Sequence, residues 1–239
     1  MKRSEFIHTG LSIMGITAFK SFNMTTHDPE LLIGKGTPEL VGKDYALLPE
    51  VAKAYEQMSA AARKEGIIIK VVSSYRSYDR QKAIWNRKFA HYKAEGMEDG
   101  QIISKILEYS TLPGTSRHHW GTEVDIIDGT PPAEGDVLLP QKFHDKGPYT
   151  ALRKWLEIHA NKFGFFLPYT QNKDRTGFKY EPWHYSFAPI SIPFLKSYLK
   201  IDLNASIIDS DIGGKALLDQ DFLKKYTQSH VMGIDKSLI

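Results

Sequence analysis

The chain contains no cysteine among its 239 residues. Disulfide bonds and thiolate metal sites are therefore excluded, and any zinc site must use histidine and carboxylate ligands. A strong excess of one charge is also absent, because 31 basic residues stand against 28 acidic ones and the net charge is +3. There is no basic run interleaved with aromatic residues either, so we expect no nucleic-acid partner.

Long hydrophobic runs are missing as well. No segment approaches the ~18 apolar residues of a membrane-spanning helix, so we expect no stable membrane span after processing. Near the start, Lys2 and Arg3 precede a mildly apolar stretch from Phe6 to Phe19, which is the outline of a signal peptide. We therefore predict an export segment at residues 1–25, with an ordinary N-terminal helix as the alternative.

The remaining composition is that of a globular protein, with 41% hydrophobic and 25% charged residues. Hydrophobic spacing predicts helices and strands in mixed order, and we expect a single α+β domain with a mostly antiparallel central sheet flanked by helices. The predicted helices are Pro49 to Lys64, Asp79 to Tyr92, Gln101 to Tyr109, Tyr149 to Phe163, Phe194 to Leu199 and Ala216 to His230. The predicted strands are Ile67 to Ser74, Val124 to Ile127, Phe165 to Leu167 and Phe178 to Phe187.

Two short segments hold the residue types of a catalytic zinc site. One runs from Ser116 to Asp125 (Ser-Arg-His-His-Trp-Gly-Thr-Glu-Val-Asp), and the other is Glu-Pro-Trp-His at positions 181–184. Asp125 lies within an apolar, strand-forming run, where a charge is costly unless it is paired or bound to a metal. Gly121 supplies a turn that lets His118 and Asp125 reach one point.

These segments predict His118, Asp125 and His184 as three ligands of one Zn²⁺ per chain, leaving an open position for water. Glu181 is the spare carboxylate, and we assign it as the general base that takes a proton from that water. Taken one at a time, a histidine is more often a surface or core residue, and an aspartate a helix cap or a solvated charge.

The pattern Ser-x-His-x-x-Gly-x-x-x-Asp followed by Glu-Pro-Trp-His resembles the VanY-type D-alanyl-D-alanine carboxypeptidases. Their superfamily also contains lysostaphin-like peptidases and the hedgehog signalling domain. The segment Ser73 to Gln81 is similar to the family's Tyr-Arg-Ser segment, with a Gln five residues after the Arg. The likeness extends over about Leu47 to Phe187. The chain departs from the family at Glu123, where a small residue, often Ala, is usual, and this bears on local packing or pocket shape.

The resemblance implies a zinc-dependent carboxypeptidase that hydrolyses the terminal D-Ala-D-Ala bond of peptidoglycan stem peptides. It also implies that Arg76, Gln81 and Ser116 contact the C-terminal end of the substrate. Arg76 has two possible targets, the terminal carboxylate and the scissile carbonyl. Its alternative role is a surface salt bridge, as Ser116 could be a turn residue and Gln81 a helix-surface residue.

The domain organisation and location follow from this resemblance. We predict a zinc peptidase domain at residues 27–200 and a C-terminal helical extension, residues 201–239, packed on it. A substrate outside the cytoplasmic membrane places the protein in the periplasm or cell envelope of a bacterium.

The sequence leaves other hypotheses about the function open. An L,D-carboxypeptidase and a murein endopeptidase would use the same residues. A non-catalytic zinc-containing binding module is more distant, because Glu181 is retained. A non-heme iron oxygenase also uses two His and one carboxylate, but its His-x-Asp spacing is absent.

Residues next to the proposed ligands need separate assignments. His118 and His119 are adjacent, and neighbouring extended residues point to opposite sides, so only one can face the metal. The family register selects His118. Trp120 and Trp183 are predicted to form walls of the site. Because Glu181 and His184 must both face the metal, we also predict a break in regular strand pairing around Pro182.

Overall fold

A four-stranded antiparallel sheet organises the computed structural model, which describes residues 28–207 and 211–239. The strands are β1 (Ile69–Ser73), β2 (Glu123–Asp128), β3 (Phe165–Phe166) and β4 (His184–Phe187), in the order β1-β2-β4-β3. The α+β class with a mostly antiparallel sheet is thereby confirmed. The predicted export segment, residues 1–25, lies outside the described residues.

Helices flank this sheet along the described chain. They are α1 (Pro29–Leu32), α2 (Pro49–Lys64), α3 (Tyr78–Ala94), α4 (Asp99–Ile106), α5 (Thr150–His159), α6 (Ala188–Tyr198), α7 (Leu203–Ile207) and α8 (Gln220–Tyr226). Short 3₁₀ segments lie at Arg117–Trp120, Pro140–Phe143, Ala160–Phe163, Lys215–Leu217 and Lys236–Leu238, and a π-helical turn at Thr227–Val231. Within the described ranges, no helix combines the length and the apolar character that crossing a membrane requires.

Helix α2 shows how directly the hydrophobic pattern sets an element. Pro49 stands at its start, where a missing N–H costs nothing. Val51, Tyr55, Met58 and Ala62 recur at spacings of three and four and are all buried. The helix has the predicted bounds, Pro49–Lys64.

Strand β2 is the central element of the site-bearing part of the sheet. All six of its residues are buried, because β1 and β4 pair with it on either side and both faces are covered. Asp125 faces β1 at Ser73 and β4 at His184, so residues from three segments meet at this position. The pairing of β1 with β2 is irregular between Val71 and Ser73, at the end of β1 that leads to Arg76.

Two predicted elements near the second motif were wrong in their bounds. The strand predicted from Phe178 begins only at His184, because Glu181 to Trp183 form a turn in which the His184 amide donates to the Glu181 carbonyl at 3.2 Å. The predicted break around Pro182 is confirmed by that turn. The helix predicted from Phe194 already begins at Ala188, and Pro193 lies inside it.

The C-terminal segment also differs in detail from the predicted helix over Ala216 to His230. Helix α8 covers only Gln220–Tyr226 before the π-helical turn. Its Tyr226 is buried, and its hydroxyl accepts from the Leu112 amide at 3.3 Å and lies 2.8 Å from Thr115 Oγ1. These contacts place Tyr226 against the loop that leads into the first motif.

We expect Tyr226→Phe to lower the free energy of unfolding by about 1–2 kcal/mol, because a buried amide and hydroxyl lose their partner. Tyr109→Phe is the matched control, since Tyr109 is 42% exposed. It should change stability by less than about 0.5 kcal/mol. Urea denaturation measures both. Equal effects of the two substitutions would contradict the packing of the C-terminal segment.

Candidate active site

The described residues bring together three side chains that could hold a metal ion, His118, Asp125 and His184. All three are buried, and their candidate ligand atoms lie within 4.8 Å of one another. Nε2 of His118 is 3.3 Å from Oδ2 of Asp125, and Nδ1 of His184 is 3.5 Å from Oδ1. A tetrahedral zinc with bonds of about 2.0–2.2 Å has ligand-to-ligand edges of about 3.3–3.6 Å. The two distances from the imidazoles to Asp125 therefore fit such an ion.

Local structure explains how the ligands converge. Asp125 and His184 are directly paired across β2 and β4. His118 comes from the 3₁₀ segment, whose N-cap Ser116 accepts from the His118 amide at 3.3 Å. Gly121 ends that segment with φ 67°, and a Cβ there would lie 2.9 Å from a methyl group of Leu40. A glycine at this position allows the chain to turn from His118 into β2.

Each imidazole has one nitrogen that faces Asp125, and its second nitrogen contacts a hydrogen-bond acceptor. Nδ1 of His118 lies 2.7 Å from the Ser74 carbonyl oxygen, which leaves Nε2 free to face Asp125. Nε2 of His184 lies 2.8 Å from Oε2 of Glu123, which leaves Nδ1 on the side of Asp125. Metal-binding histidines usually have such a partner, because it fixes the tautomer and the ring orientation.

The surroundings of Asp125 indicate independently that a cation fits this cluster. Its Oδ1 atom is buried and has no hydrogen-bond partner. An unsatisfied buried carboxylate oxygen costs free energy that a bound cation would recover. The donor set of two imidazoles and one carboxylate is also one that zinc accepts.

The charges around the cluster are strongly coupled. Burial disfavours ionisation of Asp125, but the neighbouring His118 and His184 lower its pKa to about 2. Burial likewise disfavours a charged His184, but hydrogen bonds to Glu123 and Glu181 raise its pKa to about 10. Carboxylates surround this imidazole, and they favour positive charge at the position where a metal would lie.

Glu181 lies beside the candidate ligands. Its Oε2 is 3.1 Å from Nδ1 of His184, and the side chain is buried. Burial raises the pKa of Glu181 above its ordinary value. A carboxylate whose pKa is shifted toward neutrality is suited to accept a proton and to release it again.

The predicted substrate-contacting residues divide into two groups. Arg76 and Ser116 line the same cavity, of about 520 Å³, as the metal cluster and Glu181. Gln81 does not line this cavity, and it is completely buried. Its Oε1 accepts from Nη1 of Arg76 at 2.8 Å, and its Nε2 donates to the Thr111 carbonyl at 2.8 Å. Gln81 therefore lies behind Arg76 and orients the guanidinium.

The residues adjacent to the ligands also separate. His119 is turned away from the cluster, with Nδ1 against the Arg76 carbonyl and Nε2 accepting from the Gly114 amide at 3.1 Å. Trp183 lines the cavity as predicted. The prediction for Trp120 was wrong, because its ring packs in the core and its Nε1 donates to the Leu32 carbonyl at 3.0 Å.

Two residues near the cluster were not predicted. Tyr169 lines the cavity, and its ring meets the His184 ring edge-on with centroids 5.0 Å apart. Ser74 contacts His118 through its backbone carbonyl. The identity of a side chain does not indicate such a backbone contact. The segment between β2 and α5 also reaches the site, and its cavity-lining residues are Asp136, Leu138, Leu139, Pro140 and Gln141.

The sequence of this chain matches a known protein family. Residues 44–190 match the family model described as VanY, D-alanyl-D-alanine carboxypeptidase. The chain belongs to the VanY family. The match includes both motifs and all of the cavity-lining residues.

Individual relatives agree with this assignment. A D-alanyl-D-alanine carboxypeptidase of Enterococcus faecalis is 34% identical over 131 residues, which are 54% of this chain and 44% of that enzyme. VanYB in complex with D-alanine-D-alanine matches with TM-score 0.54 and 27% identity over 70% of this chain and 85% of the other. A mutant of the D,D-pentapeptidase VanY in complex with Zn(II) matches with TM-score 0.51 and 28% identity, over 68% and 83%. The chain spans less than half the length of the Enterococcus faecalis enzyme.

We expect His118→Ala to abolish zinc retention and His119→Gln to preserve it, because only His118 faces the cluster. Bound zinc is measured per folded chain after desalting, and the unsubstituted protein should hold close to one ion. His119→Gln should instead lower the unfolding temperature, since buried hydrogen bonds are lost. Loss of zinc from His119→Gln with retention by His118→Ala would show that the register is wrong.

Proposed function

We propose that this protein is a zinc-dependent D-alanyl-D-alanine carboxypeptidase acting on peptidoglycan stem peptides. The observation that carries the proposal is the placement of a complete hydrolytic set around one cavity. A three-residue metal cluster, the carboxylate of Glu181 and the guanidinium of Arg76 all line it. Membership of the VanY family supports the same activity.

The proposed ligands are His118, Asp125 and His184. Zinc, when bound, supplies a Lewis acid and lowers the pKa of a water ligand. Glu181 accepts the proton of the attacking water and then donates it to the leaving amine of the terminal D-Ala. Its position beside Nδ1 of His184, at 3.1 Å, keeps it next to the ligands without requiring it to be one.

Arg76 is the proposed anchor for the terminal carboxylate of the peptide. Its Nη1 and Nη2 donate to Gln81 at 2.8 Å and to Ser73 at 3.0 Å, so the guanidinium is held in place before substrate arrives. A planar, fixed guanidinium is suited to carboxylate recognition. Recognition of a free carboxylate in this way favours a carboxypeptidase over an endopeptidase.

The proposed location is the periplasm or cell envelope, because the proposed substrate lies outside the cytoplasmic membrane. The basic residues Lys2 and Arg3 before an apolar stretch support export. We also propose a peptidase domain over residues 27–200 with residues 201–239 as an extension packed against it.

The substrate class is tested by incubating zinc-loaded protein with purified muropeptides and identifying the products by their molecular mass. We expect loss of one alanine from a pentapeptide ending in D-Ala-D-Ala. The tetrapeptide and the cross-linked dimer should remain intact. Cleavage of the tetrapeptide alone would indicate an L,D-carboxypeptidase, and cleavage of the dimer alone a murein endopeptidase. Zinc binding without cleavage of any of the three would indicate a binding module.

We expect Glu181→Gln to retain zinc and fold while lowering turnover of the pentapeptide by roughly 10²-fold or more, the usual contribution of a general base. Glu95→Gln is the matched control, because it makes the same change at an exposed position. That control should leave turnover unchanged. Near-normal turnover by Glu181→Gln would remove Glu181 from the mechanism.

A further inference from the structure

Glu123 is a buried carboxylate that the proposed reaction does not use. It stands in the first motif, and none of its surface is exposed to solvent. A charge at this depth is costly unless neighbouring groups satisfy it. The contacts of Glu123 therefore indicate what the residue does.

The two oxygens of Glu123 have different surroundings. Oε1 accepts from Ser186 Oγ at 2.7 Å and from Thr122 Oγ1 at 2.9 Å, and it lies 3.4 Å from Nη2 of Arg117. Oε2 lies 2.8 Å from Nε2 of His184. Two hydroxyl donors and the nearby guanidinium of Arg117 thus hold Oε1, and Oε2 is directed at the imidazole of His184.

Strand geometry places Glu123 and Asp125 at opposite ends of the His184 imidazole. They are two residues apart on β2, so both side chains project from one face of the strand. The β4 partners of these positions are Ser186 and His184, which face the same side. Nε2 of His184 meets Glu123, and Nδ1 lies 3.5 Å from Asp125.

We propose that Glu123 is a positioning residue for the metal ligand His184. An ionised carboxylate can only accept a hydrogen bond, so Nε2 of His184 must carry the proton. Nδ1, on the side of Asp125, is then the nitrogen left to bind a metal. The positive charge of Arg117 compensates the negative charge of Glu123. Oε2 of Glu123 meanwhile keeps its contact with the imidazole of His184. This proposal rests on the proposed zinc site.

The test measures zinc affinity rather than peptide hydrolysis. Glu123→Gln keeps the shape of the side chain but removes its charge and its obligatory acceptor character. The zinc dissociation constant of the full chain, obtained by competition with a chromogenic chelator, should rise about 10–100-fold, as is typical when such a partner is lost. Thr122→Val is the control, because it removes a donor to Oε1 without touching His184, and its zinc affinity should stay near that of the unsubstituted protein.

A second variant separates positioning from simple charge compensation. Arg117→Met/Glu123→Leu removes the buried charges together, so no unpaired ion remains. If Glu123 positions His184, this double variant folds but still binds zinc 10–100-fold more weakly. If Glu123 only neutralises Arg117, zinc affinity returns to the unsubstituted value, which would overturn the proposal. The double variant decides the question if Glu123→Gln does not fold.

Two further readouts complete the design. The ¹⁵N-edited NMR spectrum of the zinc-loaded protein should show a slowly exchanging Nε2 proton of His184 in the unsubstituted chain and in Thr122→Val, but not in the double variant. An unchanged Nε2 resonance in the double variant would contradict the proposal. Failure of the unsubstituted chain to bind zinc would overturn the zinc site itself. Zinc binding with no peptide hydrolysis would overturn only the proposed activity.

Discussion

The antiparallel pairing of β2 with β4 is the constraint on which the site depends. It sets Asp125 directly opposite His184, and a shift of one residue would turn one of the two to the other face of the sheet. The register is secured by burial on both faces of β2, with Val124 and Ile126 buried on one face and Glu123 and Ile127 on the other. The energy of core packing therefore holds the ligand geometry.

A buried site of this kind needs compensation at every polar atom. The Ser74 carbonyl serves His118, and Glu123 serves His184. Gln81 and Ser73 hold the guanidinium of Arg76. Oδ1 of Asp125, which has no hydrogen-bond partner, lies in this cluster at a position that a cation would satisfy. The network around the cluster is thus arranged before a metal binds, and little reorganisation is required on binding.

The sequence allowed good prediction of elements with strong local signals. Helix α2 has a proline at its start and regular apolar spacing, and its bounds agree with the prediction. The cluster of His118, Asp125 and His184 could be predicted because its residue types are chemically distinctive. The break at Pro182 could be predicted because proline cannot donate to a strand ladder.

Other features depend on tertiary contacts that local sequence does not encode. Trp120 was expected at the site, but the left-handed turn at Gly121 and the packing of α6 direct its ring into the core. Gln81 has a polar side chain on a helix, and only the folded structure reveals that it lies behind Arg76. Helix α6 begins at Ala188, earlier than predicted, because Pro189 lies in its first turn, where a missing N–H costs nothing.

The central claim is that one zinc ion is held by His118, Asp125 and His184 with Glu181 outside its coordination shell. Anomalous diffraction at the zinc edge from crystals of the zinc-loaded protein tests this claim most directly. The account predicts a single peak within about 2.0–2.2 Å of Nε2 of His118, a carboxylate oxygen of Asp125 and Nδ1 of His184. A peak coordinated by His119, or one that takes Glu181 as a ligand in place of any of the three, would contradict it.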